Sequence, residues 1–281
     1  MIKMITDSTS YIPKEWLTLY DIEVIPLSVV LGDESFAETE ISNEDFYKKL
    51  DESPHHPTSS QPPIQTMVDV FENHVKAGHQ IVACFISSKM SGTYSTAHLA
   101  KNMLMETYPK AEIEIIDSKS NSMQLGFAVL AGAKAAKQGD DIQTVVEAIN
   151  DNIEKSRFLF IPKTMEYLKR SGRLSHAAAI AASLLKIFPI LTVKNGVADV
   201  YEKIRTYKKA MNTMIEEVVQ DFKEKGIKEI IVMHINNIEG AIQLKERLTE
   251  LTQIEIKIGA IGPVIGAHVG PGALATIYYT A

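Results

Sequence analysis

The sequence predicts a two-domain α/β protein, and three observations carry that reading. Apolar, β-branched runs alternate with helical patterns through the first half of the chain. Near residue 155 the rhythm changes, and an Asn-Gly pair then joins two short β-like runs. At 281 residues the chain has the length at which one hydrophobic core usually gives way to two. The expected domains are residues 1–155 and 156–281.

In residues 1–155, strands are expected over Ile2–Thr6, Val24–Val30, Ile81–Ser87 and Ile113–Asp117. Helices are expected over Pro13–Leu19, Asn43–Leu50, Ile64–Ala77, Ser95–Thr107 and Asn121–Lys137. In the third of these, Ile64, Met67, Val68, Phe71 and Val75 fall on one face, and Gly78 is placed to stop it. Such alternation implies a mainly parallel sheet with helices on both faces. The stretch 51–63, rich in Pro, Ser and His, reads as one long loop.

After a helix at 142–155, a strand over Arg157–Ile161 leads to helices at 163–170 and 174–187. Ile190–Val193 and Ala198–Ile204 flank Asn195-Gly196, a strong hairpin signal. A helix (206–224), a strand (Glu229–Ile235), a helix (238–252) and strands at 254–261 and 273–280 follow. The second domain is therefore expected to be α/β with an antiparallel or mixed sheet, an element the first half is expected to lack. The helix 174–187 leaves almost no polar face, so it must be buried by protein or by an apolar ligand.

Composition narrows the function. An apolar fraction of 45% with 23% charged residues is that of an ordinary soluble globular protein. A net charge of −6 argues against a nucleic-acid backbone as partner. The one cysteine, Cys84, lies inside an apolar run as a small core residue, and no intrachain disulfide can form, which fits a reducing cytoplasm. The N-terminus lacks the apolar region of a signal peptide, and the longest nearly uncharged stretch, Ala177–Leu185, is too short to span a bilayer. A cytoplasmic protein without stable membrane insertion is expected. P-loop, dinucleotide, zinc-protease and nucleophile-elbow motifs are absent, and histidines 55, 56, 74, 79, 98, 176 and 234 show no metal-ligand spacing.

Four segments could carry chemistry. A strand running into Ser91-Gly92-Thr93-Tyr94 and then a helix is the place where open α/β sheets bind ligands, and free N–H groups there suit an anionic head group. Equally, Ser and Thr at that position cap helices. Thr58-Ser59-Ser60-Gln61 puts a second hydroxyl cluster before a helix. Lys169-Arg170-Ser171-Gly172-Arg173 is a basic turn, and Gly262 to Gly272 surrounds His268 with four glycines and two prolines.

Taken in order, Thr6-Asp7-Ser8-Thr9, Ser59-Ser60-Gln61-Pro62, Ser91-Gly92-Thr93-Tyr94, Ile116-Asp117-Ser118, Ser171-Gly172-Arg173 and the His268 segment resemble the DegV family over the whole chain. The resemblance implies a two-domain carrier of one long-chain fatty acid, held in a tunnel between the domains. It also implies a separate ATP-dependent fatty acid kinase subunit that converts the bound acid to an acyl-phosphate for phospholipid synthesis. No catalytic residue, metal or cofactor of the carrier's own is expected. By position, Ser59 (usually Thr in the family), Ser91 and His268 are implied to hold the carboxylate, with Ser60, Gly92, Thr93, Arg173 and Gly266 as further ligand-site candidates. Ser171 replaces a second glycine often found before the Gly-Arg pair. Basic residues Lys203, Arg205, Lys208 and Lys209, with Arg170 and Arg173, are candidates for docking the kinase, because local positive charge on an acidic chain steers association. Two other readings stand beside this one: a Ser91–His268 acyl hydrolase, and a phosphotransferase subunit like the dihydroxyacetone kinases with His268 on a small carbonyl substrate.

Overall fold

The computed structural model describes residues 1–175 and 187–281. Thirteen strands among them form three sheets. The first is parallel throughout, in the order β2 (Glu23–Ile25), β1 (Ile2–Asp7), β6 (Gln80–Phe85), β7 (Ile113–Asp117). The second is mixed and six-stranded, in the order β10 (Val197–Glu202), β9 (Ile190–Lys194), β8 (Ser156–Ile161), β13 (Leu274–Thr280), β11 (Ile227–His234), β12 (Lys257–Ala260). Its pairs are antiparallel except β11 with β12. All its strands lie at or after Ser156. This is the two-sheet α/β architecture that the alternation of the sequence implies, and the hairpin turns at Asn195-Gly196 as expected.

The third sheet corrects the sequence reading. The run Val24–Val30 is broken at Pro26, which has no N–H to continue a ladder. Its first part joins the parallel sheet as β2. Its second part, β3 (Ser28–Leu31), pairs antiparallel with β4 (Glu34–Ala37) and β5 (Thr58–Ser60). The first half therefore does contain an antiparallel element, and residues 58–60 are an edge strand where a loop was expected. Both added strands are short and partly exposed, so they lack the apolar run by which strands are recognised. The glycine-rich segment around His268 also differs. It encloses a seven-residue helix, Pro263–Val269, with proline in its first turn, where the missing N–H is harmless. The helix expected from 163 is shorter, Glu166–Ser171, and the one expected from Ser95 begins at Thr93. Of the alanine-rich helix expected over 174–187, residues 176–186 lie outside the described residues.

The helix Ser122–Gln138 explains how the two large sheets share a core. Buried from Ser122 through Leu130, it packs on β1 and β6 of the parallel sheet and on β8 and β13 of the mixed one. A helix without a wet face over that length can only sit between layers. The resulting apolar cluster includes Val82 from one sheet, Phe127 and Leu130 from the helix, and Phe158 and Ile277 from the other sheet. Among the described residues, no helix is long and apolar enough to cross a membrane.

The hairpin tip touches the parallel sheet directly: Ser87 Oγ donates to the Gly196 carbonyl at 2.7 Å. Gly196 has φ +84°, and a Cβ there would lie 2.6 Å from Ser87 Oγ. Gly196→Ala is therefore strained twice, by its backbone angle and by the contact. It should cost about 1–3 kcal/mol, read as a lower midpoint in urea at unchanged m-value.

Candidate ligand site

An apolar cavity opens beyond the carboxyl end of β6 and along the inner face of the mixed sheet. The space between atoms there, part of it open to solvent, amounts to about 740 Å³. Phe158 and Phe160 of β8, Val193 and Ala198 of the hairpin, and Ala273 with Ala275 at the start of β13 wall one side. Leu27, Ile86 and Met90 come from the N-terminal part, and Val264, Ile265 and Val269 from the short helix. Five polar side chains interrupt this apolar lining: Ser59, Ser91, Asn121, Arg173 and His268.

Each polar group is placed by a local rule. Ser59 pairs across β5 with Val29 of β3 and lines the cavity, whereas Ser60, the next residue of the strand, is exposed and does not. Ser91 precedes the helix Thr93–Thr107, and its Oγ accepts the Thr93 N–H at 3.3 Å. The same Oγ is hydrogen-bonded to Thr93 Oγ1 at 2.9 Å, so the residue both satisfies the first N–H of the helix and faces the cavity. Thr93 is fully buried behind it and does not line the cavity. Gly92 has a different use: a Cβ there would run into the amide of Gln61, whose Nε2 donates to Thr96 Oγ1 at 2.6 Å. The two hydroxyl-bearing segments are locked together by that contact.

His268 sits in the last turn of Pro263–Val269, with Nε2 2.6 Å from Ser59 Oγ. Gly266 on the same helix does not line the cavity; a side chain there would strike the buried Tyr47 hydroxyl. Arg173 donates from Nε to the Met90 carbonyl at 3.3 Å and also to the Ser171 carbonyl, which holds the guanidinium at the edge of the cavity. Arg170 is exposed and pairs with Glu166 at 2.6 Å, one turn away. Arg205 and Lys203 are exposed, and Arg205 stands just before Thr206, the cap of the long helix Tyr207–Lys225. Neither lines the cavity.

Asn121 is the lining residue that the sequence reading missed. It was seen as a helix start, yet its side chain makes no capping bond and donates instead to Met90 Sδ at 3.1 Å, beside the cavity. An asparagine before a helix reads as a cap, so the sequence carries no signal of this use.

Electrostatically the site is poised for an anion without holding a fixed counter-charge in its depth. Burial first, then the positive charge of Arg173 and the proximity of His56, lowers the His268 pKa from 6.5 to about 4. At neutral pH its imidazole is uncharged and offers one N–H. Two hydroxyls, an imidazole and an amide can satisfy a carboxylate at the end of an apolar chain, which could not enter such a space unpaired. The site is less suited to hydrolysis. Ser91 is bonded to Thr93 and not to His268, and among the described residues no carboxylate is hydrogen-bonded to His268. Among the described residues, no cluster of three or more His, Cys, Asp or Glu could hold a metal ion.

The lowered pKa has a measurable sign. A histidine that prefers to be neutral when folded contributes stability above pH 6.5, lost as pH falls through the window from 6.5 to about 4. In ligand-free protein the His268 imidazole should titrate near pH 4 by NMR, and an anion bound beside it should raise that value. A ligand-free midpoint above 6 would refute the neutral imidazole.

With this geometry in hand, comparison with known proteins is direct. The family model of DegV matches residues 1–281. A DegV domain-containing protein of Clostridium perfringens is 47% identical over 277 residues, 99% of this chain and 98% of that one. Protein DegV of Bacillus subtilis is 34% identical over 278 residues, 97% of each. Among solved structures, a fatty acid binding DegV family protein of Streptococcus agalactiae superposes with a TM-score of 0.91 at 27% identity, covering 100% of this chain and 99% of its own. The structure of DegV, a fatty acid binding protein from Bacillus subtilis, gives 0.89 at 33% identity with the same coverage. The family model and these relatives agree over essentially the full length, and the chain belongs to the DegV family.

Proposed function

We propose that this protein binds one long-chain fatty acid in the cavity and presents its carboxylate to a separate ATP-dependent kinase subunit, which forms the acyl-phosphate used for phospholipid synthesis. It works in the cytoplasm as a carrier, with no cofactor and no catalytic residue of its own. The observation that carries the reading is the cavity itself: an apolar lining in which Ser59, Ser91, Asn121, Arg173 and His268 supply polar groups. The relatives of Streptococcus agalactiae, Bacillus subtilis and Thermus thermophilus, described as fatty acid binding, support the ligand class.

The energetics fit. Burying a methylene contributes about 0.8 kcal/mol, so an acyl chain of about 16 carbons gains on the order of 10 kcal/mol before the losses of ordering. The tail supplies affinity, and the hydroxyls and imidazole satisfy the head and fix its orientation for the partner. The carboxylate binders are Ser59, Ser91 and His268. Arg205, with Lys203 beside it in sequence and Arg170 as a separate basic candidate, is the proposed docking residue, since exposed cations on an acidic chain favour steered encounter.

Purified protein should carry a fatty acid, seen by mass spectrometry of an organic extract. Absence of lipid even after incubation with oleate or palmitate would refute the reading. Ser59→Ala with Ser91→Ala should keep the fold and lose about 1.5–3 kcal/mol per hydrogen bond to the charged head, with phosphorylation falling more than affinity because the tail still binds. Equal affinity and turnover in the double variant would remove both hydroxyls from the site. Arg205→Glu should slow acyl-phosphate formation at low salt without changing lipid content; unchanged kinetics there would exclude it from docking.

A further inference from the structure

The helix that carries His268 is seven residues long, too short to hold its own shape, so something outside it must fix its position. The structure places a buried carboxylate at its start. Glu38, just after β4, accepts from the Val264 N–H at 2.9 Å and from the Tyr11 hydroxyl at 2.9 Å on one oxygen. Its other oxygen accepts from the Ser8 hydroxyl at 2.5 Å. The Tyr11 oxygen in turn accepts the Ile265 N–H at 3.3 Å, so two successive backbone groups of the helix are held by one Glu–Tyr unit. The preceding residue is fitted to the same carboxylate: a Cβ at Gly262 would lie 2.5 Å from Glu38 Oε1. Asn43 Nδ2 donates to the Ile261 carbonyl at 3.3 Å and fixes the entry to the helix.

We propose that Glu38, acting with Tyr11, is a positioning residue for His268: by holding the backbone N–H groups of Val264 and Ile265 it sets where the imidazole stands in the cavity lining. This rests on the fatty-acid reading and deepens it. From Val264 to His268 is four residues, about 6 Å along the axis, so a tilt at the anchored end is carried directly to the imidazole and its bond to Ser59. The arrangement also gives the Thr6-Asp7-Ser8-Thr9 segment a role. Asp7 accepts the Ile86 N–H at 2.7 Å, at the end of the strand leading to Ser91, while Ser8 holds Glu38. One turn thus braces both sides of the head-group site.

The hold depends on protonation. An ionised carboxylate only accepts, and takes all three donors; a protonated one must donate to the Ser8 or Tyr11 hydroxyl, reversing that bond, and the charge that strengthens the Val264 N–H bond is lost. Burial chiefly raises the Glu38 pKa to about 7, opposed by the bonds from Ser8, Val264 and Tyr11 and assisted by the charge of Asp7. The titratable groups facing it are Asp7 and Tyr11 from the first strand and the turn after it and Tyr47 from the helix Asn43–Glu52, with Lys14 on the same cleft wall. Burial also raises the Asp7 pKa to about 6 and lowers that of His268 to about 4, so the part of the pH dependence that belongs to Glu38 is the part that Glu38→Gln abolishes.

Glu38→Gln copies the protonated acid in shape and hydrogen-bonding and cannot ionise. Two readouts test the proposal: the imidazole carbon and proton shifts of His268 in ligand-free protein, and the affinity for oleate at pH 8 and pH 6.5. Expected results are shifted His268 resonances at pH 8 in the variant and severalfold weaker oleate binding by wild type at pH 6.5 than at pH 8. The variant should bind at the weaker level at both. If the variant lowers thermal stability but leaves the His268 resonances in place, Glu38 is merely structural and the proposal is overturned. It is equally overturned if the resonances move while oleate affinity and its pH profile stay those of wild type. If wild type binds no oleate at any pH, the fatty-acid reading fails, and the ligand-free resonances still decide whether Glu38 positions His268. Should Glu38→Gln not fold, Tyr11→Phe, which removes one donor to Glu38 and the acceptor for Ile265, is judged by the same measurements.

Discussion

The hydrogen bond between Ser59 and His268 joins residues 209 positions apart, and the arrangement of the polar part of the cavity lining depends on it. One partner lies on an edge strand of the small sheet and the other on a short helix of the C-terminal part. Neither element has the length to define its own place, so each relies on the other and on the larger layers behind them. A neutral serine and a neutral imidazole can make this contact inside an apolar wall, where an unpaired charge could not persist. That constraint accounts for the chemistry of the lining: hydroxyls, an amide and an uncharged ring reach inward, and the guanidinium of Arg173 stays at the edge, tied to the carbonyls of Met90 and Ser171.

The small antiparallel sheet is more than an addition to the parallel one. Proline at position 26 turns the chain out of the parallel sheet, and the departing segment then meets β5, which delivers Ser59. The end of β4 delivers Glu38 to the start of the helix bearing His268. Three short strands therefore place groups at both ends of that helix. Tyr47, from the helix that follows β4, closes the same space from a third side by lying against Gly266.

What was legible in the sequence follows from burial. Strands β1, β6 and β7 are lined by Val and Ile and sit inside the layers, so their apolar runs reveal them without help. The hairpin was legible because its turn needs a backbone angle that Gly196 supplies. The strands β4 and β5 were hidden because Glu34, Ser35, Thr58 and Ser60 face solvent and read as loop. The helix around His268 was masked by the glycines and prolines that bound it. At the site, Ser59, Ser91, Arg173 and His268 were named from the resemblance, and the cavity brings all four to its lining. Ser60, Gly92, Thr93 and Gly266 stand beside it in supporting places, which strand alternation and close packing decide and which no motif records. Asn121 and Glu38 escaped notice for opposite reasons. One looked like a helix cap, and the other like any surface glutamate in an acidic stretch.

The bond from Ser87 to Gly196 bears on how firmly the two large sheets are held to each other. Ser87 is fully buried and begins the turn that ends at Ser91, while Gly196 is the tip of a hairpin in the other sheet. The parallel and mixed sheets are thus stitched at a point where separation would expose a hydroxyl and a carbonyl together. The two large sheets therefore cannot part at the hairpin tip without leaving both groups unpartnered, and the bond adds a polar tie between them to the apolar core they share.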